Sequence, residues 1–179
     1  MVRKPSQPLS LQVQRFLLDQ TFAGAVCKVG KHELTWEDWL RPSAISYVYH
    51  IRLIYKIGSE PDVFLVEPDP FTLADKVIPN RSLPHNYGGH PLRLCLFLPG
   101  SGEWKSTDAL ATTVIPWAVE WLWFFEDWVF TNVWSGGGIH PCRVASERAT
   151  PTASATSATS TGTSPAPAAA PEPPSCGAA

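Results

Sequence analysis

The sequence predicts an α+β fold, with helices set against an antiparallel sheet. Three observations carry that expectation. A helical spacing of apolar residues opens the chain, period-two alternation fills residues 43–57, and a long aromatic run spans residues 114–130. The 179 residues suffice for one ordinary domain plus a tail.

Leu9 to Phe22 reads as the first helix. Leu9, Val13, Phe16, Leu17 and Gln20 recur at helical spacing, with Gln12, Arg15 and Asp19 elsewhere on the cylinder. Gly24 and Gly30 bracket a short strand, Ala25 to Val29. Cys27 alternates with Lys28 there and reads as a small buried residue.

Ser43 to Ile57 is the best strand in the chain. Ile45, Tyr47, Tyr49, Ile51, Leu53, Tyr55 and Ile57 fall on one face, and Ser46, His50, Arg52 and Lys56 on the other. Gly58-Ser59-Glu60-Pro61 is a turn, and Val63 to Val66 returns as a second strand. Pro68, Pro70 and Pro79 are expected to keep the chain from regular structure up to about residue 92.

Thr107 or Asp108 is placed to cap a long helix running to about Phe130, which Pro116 should kink or divide. The apolar run from Val114 raises the question of a membrane span. It is short for a bilayer, and Glu120, Glu126 and Asp127 lie within it. Each would cost roughly 2.5–3.5 kcal/mol at mid-membrane depth. The run therefore reads as a core helix that leaves some aromatic surface for a partner. Gly136-Gly137-Gly138 ends the element, and the domain, residues 1–143, closes near His140-Pro141-Cys142. Residues 144–179 are dominated by Ala, Ser, Thr and Pro. Such residues cannot bury enough apolar area to offset chain entropy, so this reads as a disordered tail, with Cys176 incidental at its tip.

Composition narrows the function. With 44% hydrophobic and 17% charged residues, the chain suits a packed core. A net charge of -2 and the absence of a Lys/Arg stripe argue against a nucleic-acid surface. Cys27, Cys95, Cys142 and Cys176 form no Cys-x-x-Cys pair, so neither a zinc ribbon nor a redox motif is indicated. Met1-Val2-Arg3-Lys4, followed by polar Ser and Gln, lacks the apolar run of a signal peptide. The cysteines are read as reduced thiols in a cytoplasm.

Chemistry concentrates around Cys95. It lies in Leu92-Arg93-Leu94-Cys95-Leu96-Phe97-Leu98-Pro99, after a coil containing Pro84-His85-Asn86-Tyr87-Gly88-Gly89-His90-Pro91. The thiolate is the reactive form, and a free thiol ionises at about pH 8.5, so a reactive cysteine needs a partly exposed, polar setting. His85, His90 and Asn86 could supply it. An acyl carrier also needs a donor for the oxyanion that forms when an amine attacks. On these residues alone a second reading stands, in which Cys95 is one more small apolar residue of a strand. A metal site from His85, His90 and Cys95 lacks a nearby fourth ligand, and its spacing matches no common zinc pattern.

The layout resembles the ubiquitin-conjugating enzymes. Tyr49 to Ile57, Pro61 to Pro68, His85, Cys95-Leu96 and Trp104 fall in that family's order, with His85 ten residues before Cys95. More closely, the chain is similar to the bacterial conjugating-enzyme-like proteins of CBASS antiphage operons. The resemblance rests on Pro84-His85-Asn86-Tyr87, Leu94-Cys95-Leu96-Phe97, Glu103-Trp104 and Ile115-Pro116-Trp117. It continues through Trp121-Leu122-Trp123-Phe124-Phe125-Glu126-Asp127-Trp128 and Trp134-Ser135-Gly136-Gly137-Gly138-Ile139-His140-Pro141. It covers roughly residues 9–141. Pro84-His85-Asn86 stands where the conjugating enzymes carry His-Pro-Asn, and no adenylation-type glycine-rich loop is present.

The resemblance implies a ubiquitin-conjugating-enzyme-like fold, with an N-terminal helix, a four-stranded antiparallel meander and C-terminal helices. It implies a stand-alone enzyme without cofactor; the ligand spacing, charge and acidic residues noted above add the expectation of no metal, no nucleic acid and no membrane as partner. Cys95 would form a thioester with the C-terminus of a cGAS/DncV-like nucleotidyltransferase and pass it to an amine. Energy would come from a separate activating enzyme or from cleavage of the partner's own peptide bond. His85 would orient the cysteine loop or move a proton, Asn86 or a backbone N–H would hold the oxyanion, and Trp104 would pack beneath. Two other readings remain: an inactive module that scaffolds the nucleotidyltransferase, and a cysteine hydrolase using Cys95 with His85 or His90. A papain-like hydrolase sets its cysteine at a helix N-terminus with its histidine far downstream, which does not match here.

Overall fold

Ser10 caps the first helix, α1 (Leu11–Thr21), by accepting the Val13 N–H at 3.3 Å. The computed structural model describes residues 7–75 and 83–138. The expected helix is present, but its buried face differs from the expected one. Leu11, Gln14 and Leu18 face inward, whereas Val13 and Phe16 are exposed. Gln14 explains the rotation. Its Nε2 donates to the Asp108 carbonyl at 2.8 Å, and its Oε1 accepts the Leu110 N–H at 2.9 Å. A buried amide bonded at both ends avoids the desolvation penalty that hydropathy alone would assign it.

A five-stranded antiparallel sheet follows, in the order β1-β2-β3-β4-β5. Its strands are β1 (Val26–Val29), β2 (Glu33–Leu40), β3 (Tyr49–Lys56), β4 (Asp62–Glu67) and β5 (Leu92–Arg93). It thus holds one short strand more than the four expected. β2 went unassigned in the sequence because Glu33, Glu37 and Asp38 blur its alternation. Leu34 and Trp36 nonetheless point into the core. Glu37 faces outward, where Arg52 of β3 donates to it at 2.7 Å and His50 lies 3.1 Å away.

β3 is shorter than the 43–57 span expected. Tyr49, Ile51, Leu53 and Tyr55 are buried as alternation requires, but Ile45, Tyr47 and Ile57 are exposed. At the start of the strand the cause lies in the last helix. Glu126 accepts the Ser46 hydroxyl at 2.6 Å, the Tyr47 N–H at 2.9 Å and the Tyr49 hydroxyl at 2.9 Å. The Tyr47 N–H is therefore bonded to a carboxylate rather than to a neighbouring strand.

A short helix, α2 (Pro70–Asp75), interrupts the stretch expected to be irregular. Asp69 accepts from the Phe71 N–H at 3.2 Å and the Thr72 hydroxyl at 2.8 Å, and Pro70 occupies the first helical position, where its missing N–H has no consequence. Farther on, a 3-10 turn (Leu110–Thr112) precedes α3 (Val114–Thr131). Neither Thr107 nor Asp108 caps that helix; Thr113 holds the N-cap position, but its hydroxyl donates back to the Ala109 carbonyl at 2.8 Å instead of accepting a helix N–H. Asp108 instead accepts the Lys105 N–H at 2.9 Å. Pro116 is the third residue of α3, inside the first turn, so it neither kinks nor divides the helix. One α-helix, rather than several, thus closes the described fold. Val114, Ile115, Ala118, Trp121, Leu122, Phe125, Trp128 and Val129 bury one side of it. No helix among the described residues is long and apolar enough to cross a membrane. The proposed boundary at residue 144 and the tail lie outside the described residues.

Candidate active site

Beyond β5 the chain folds back on itself, and this fold-back positions the cysteine. Residues 85–88 and 92–95 form a narrow hairpin turned by Gly88 and Gly89, whose φ angles of 74° and 89° suit glycine. Tyr87 N–H donates to the Arg93 carbonyl at 2.9 Å, Arg93 N–H to the Gly88 carbonyl at 3.0 Å, and Cys95 N–H to the His85 carbonyl at 3.0 Å. Asn86 bridges Leu94 between these bonds. On its other side the segment is held by the Leu94 N–H, which donates to the Val63 carbonyl at 2.9 Å. Cys95 therefore rides on a segment clamped by main-chain bonds to both flanks.

His85 sits at φ 53°, a left-handed backbone unusual for a residue with a side chain. Its carbonyl also accepts the Trp121 indole N–H at 2.8 Å, which ties the turn to α3. Its ring stacks on Trp134, with centroids 4.9 Å apart and planes 20° from parallel.

Cys95 is 8% exposed, and its side chain lies in the wall of an open cleft of about 480 Å³. His85, Trp117, Phe124 and Trp134 line the same cleft, and Glu103 and Glu120 bring negative charge to it. Burial pushes the Cys95 thiol above its ordinary ionisation range, and the Glu103 charge adds to that; a hydrogen bond with Tyr87 and the Arg93 charge pull it back. The Cys95 Sγ lies 3.4 Å from the Tyr87 hydroxyl, and the Arg93 guanidinium stands 4.6 Å above the Tyr87 ring.

The other sequence candidates are placed as follows. Asn86 Nδ2 donates to the Leu83 carbonyl at 2.6 Å, and its Oδ1 accepts the Gly88 N–H at 2.8 Å, so its amide closes the turn. His90 is exposed and packs near Phe71, with ring centroids 5.8 Å apart. Trp104 is a core residue, set edge-on to Tyr55 at 5.4 Å. No cluster of His, Cys, Asp or Glu suited to a metal occurs among the described residues. Sequence reasoning gave no role to Tyr87, Arg93 or Trp134. The first two were recoverable, because residues 85 and 87, and 93 and 95, keep period-two spacing on either side of Gly88-Gly89.

No curated protein sequence matches the chain. A family model described as Type II CBASS E2 protein matches residues 14–141, which include the whole sheet, the cysteine hairpin and α3. The chain therefore belongs to the CBASS E2 protein family.

Proposed function

We propose that this protein is a cysteine-dependent acyl transferase. In this reading Cys95 Sγ carries the C-terminal carboxyl of a protein partner as a thioester and passes it to an amine, probed most directly as a lysine. The supporting observation is the position of Cys95: a thiol in the wall of an open cleft, on a segment clamped on both sides, with the His85 ring in the same cleft. Such fixed geometry is what a carrier needs, because holding the reacting atoms in place removes much of the entropic barrier to transfer.

Membership of the family supports a partner from a CBASS defence operon, taken in this reading to be a cGAS/DncV-like nucleotidyltransferase met in the cytoplasm. Thioester formation from a free carboxylate is uphill. The reading therefore requires a separate activating enzyme or direct exchange with a peptide bond of the partner. His85 is assigned to holding the Cys95 loop through its carbonyl and to proton movement through its ring. Asn86 would shape the turn, and reaching an oxyanion would require its amide to leave Leu83. A main-chain N–H beside Cys95 is the donor that needs no such rearrangement.

A second reading rests on Trp123 and Phe130, both exposed on α3. There the protein binds the nucleotidyltransferase through that helix and performs no chemistry. Phage protection in Cys95→Ala and Trp123→Ala strains separates the two. The carrier reading expects protection to vanish in Cys95→Ala while partner binding persists. Full protection in Cys95→Ala, with loss in Trp123→Ala, would select the scaffold.

A further inference from the structure

We propose that the Tyr87 hydroxyl is a catalytic hydrogen-bond donor to the Cys95 sulfur, stabilising it as a thiolate when it attacks and when it leaves. The proposal rests on the carrier reading for the transfer step but not for the thiolate itself.

Cys95 faces an energetic problem. The residue is 8% exposed, and the nearby Glu103 charge opposes a second negative charge. Some group has to compensate for the lost water. The Tyr87 hydroxyl lies 3.4 Å from Sγ, an ordinary distance for a hydrogen bond to sulfur. In the thiol state the S–H donates to the phenol oxygen. On ionisation the phenol O–H can turn to donate to the sulfur, with no heavy atom moved. A hydrogen bond to an ionised group is about twice as strong as a neutral one, so the contact favours the thiolate.

The phenol is well placed for this task. The Tyr87 main-chain N–H donates to the Arg93 carbonyl at 2.9 Å, within the same hairpin that carries Cys95. Arg93 is held by Asp62 at 2.5 Å, and its guanidinium lies 4.6 Å from the centre of the Tyr87 ring. A cation over the ring draws electron density from it, which makes the O–H a better donor. Burial, and next the bond to Cys95, push the phenol well above its usual range, so Tyr87 stays protonated and able to donate.

The transfer step then balances as follows. The acceptor amine nitrogen bonds to the thioester carbonyl carbon, and the carbonyl oxygen takes the electron pair. Collapse of that intermediate breaks the C–S bond, and its electron pair returns to Sγ. The amine proton passes to solvent water. Tyr87 donates to the departing sulfur, lowering the cost of a charge that would otherwise form in a buried site.

Peptide-resolved alkylation of Cys95 by iodoacetamide across a pH series tests this in the full chain. It needs neither partner nor activating enzyme. In Tyr87→Phe the midpoint is expected to rise by about one pH unit, about tenfold in thiolate fraction below the midpoint. The limiting rate at high pH should not fall, because a more basic thiolate is intrinsically more nucleophilic. A 3-fluorotyrosine at position 87, a stronger donor of nearly the same shape, should lower the midpoint. It decides the matter alone if Tyr87→Phe does not fold. Superimposable midpoints, or a lower limiting rate with the midpoint unmoved, would overturn the proposal. Shifted midpoints in a protein that never forms a thioester would keep the Tyr87 role and remove the carrier reading.

Discussion

The Trp121 indole N–H donates to the His85 carbonyl at 2.8 Å, and that same carbonyl accepts the Cys95 N–H at 3.0 Å. One acceptor thus couples α3 to the cysteine segment. Trp121→Phe keeps an aromatic ring against Phe125, whose centroid lies 5.6 Å away, but removes the donor. We expect a stability loss of about 1 kcal/mol by urea denaturation. The rate of Cys95 acylation should fall further than that, because His85 holds a left-handed backbone that this bond supports.

Gly136 gives a more local test. A Cβ at this position would lie 2.6 Å from Trp134 Nε1 and 2.8 Å from Phe124 Cδ2. Gly136→Ala should push Trp134 off the His85 ring and distort the cleft. Partner capture is expected to drop severalfold, with an unfolding free energy from urea denaturation lower by about 1 kcal/mol, since Trp134 packs against the rim of the core.

Asn86→Ala separates two roles for one side chain. If the amide closes the turn, the variant loses two hydrogen bonds and about 1–2 kcal/mol of stability, with slower acylation alongside. Slower acylation at unchanged stability would instead mark Asn86 as a donor to the oxyanion.

Burial raises the Cys95 thiol, and this fixes the sign of a pH effect on stability. The native state holds the proton more tightly than the unfolded chain. Stability from this group is complete below the unfolded thiol value, about pH 8.5, and is lost as pH rises through the raised native value. Wild type should therefore lose more stability than Cys95→Ala above about pH 8.5, read from urea midpoints.

The legible and illegible parts of the sequence divide along physical lines. The alternation of Tyr49, Ile51, Leu53 and Tyr55 revealed β3, because each side chain reports its own face. Its false extension to Ser43 was not legible, since the Glu126 carboxylate that draws this segment away lies some eighty residues later. The inward position of Gln14 is illegible for a related reason: its polarity says surface, and only its partners at Asp108 and Leu110 make it a core residue. At the candidate site, residue type alone leaves Cys95 and either of two histidines as candidates, and only the resemblance to the conjugating enzymes selects Cys95 with His85; both line one cleft. Trp134 was visible as part of a motif but carried no hint that its ring would stack on His85.

The most direct measurement is intact mass spectrometry of the protein co-expressed with a cGAS/DncV-like nucleotidyltransferase, for wild type and Cys95→Ala. Wild type is expected to show an adduct that reductant releases and that Cys95→Ala lacks. Its mass should equal the two chains less water, or, where a peptide bond of the partner is exchanged directly, the two chains less the released tail peptide. An adduct of the same mass in Cys95→Ala, or a stable complex in both proteins with no covalent species, would contradict the carrier reading.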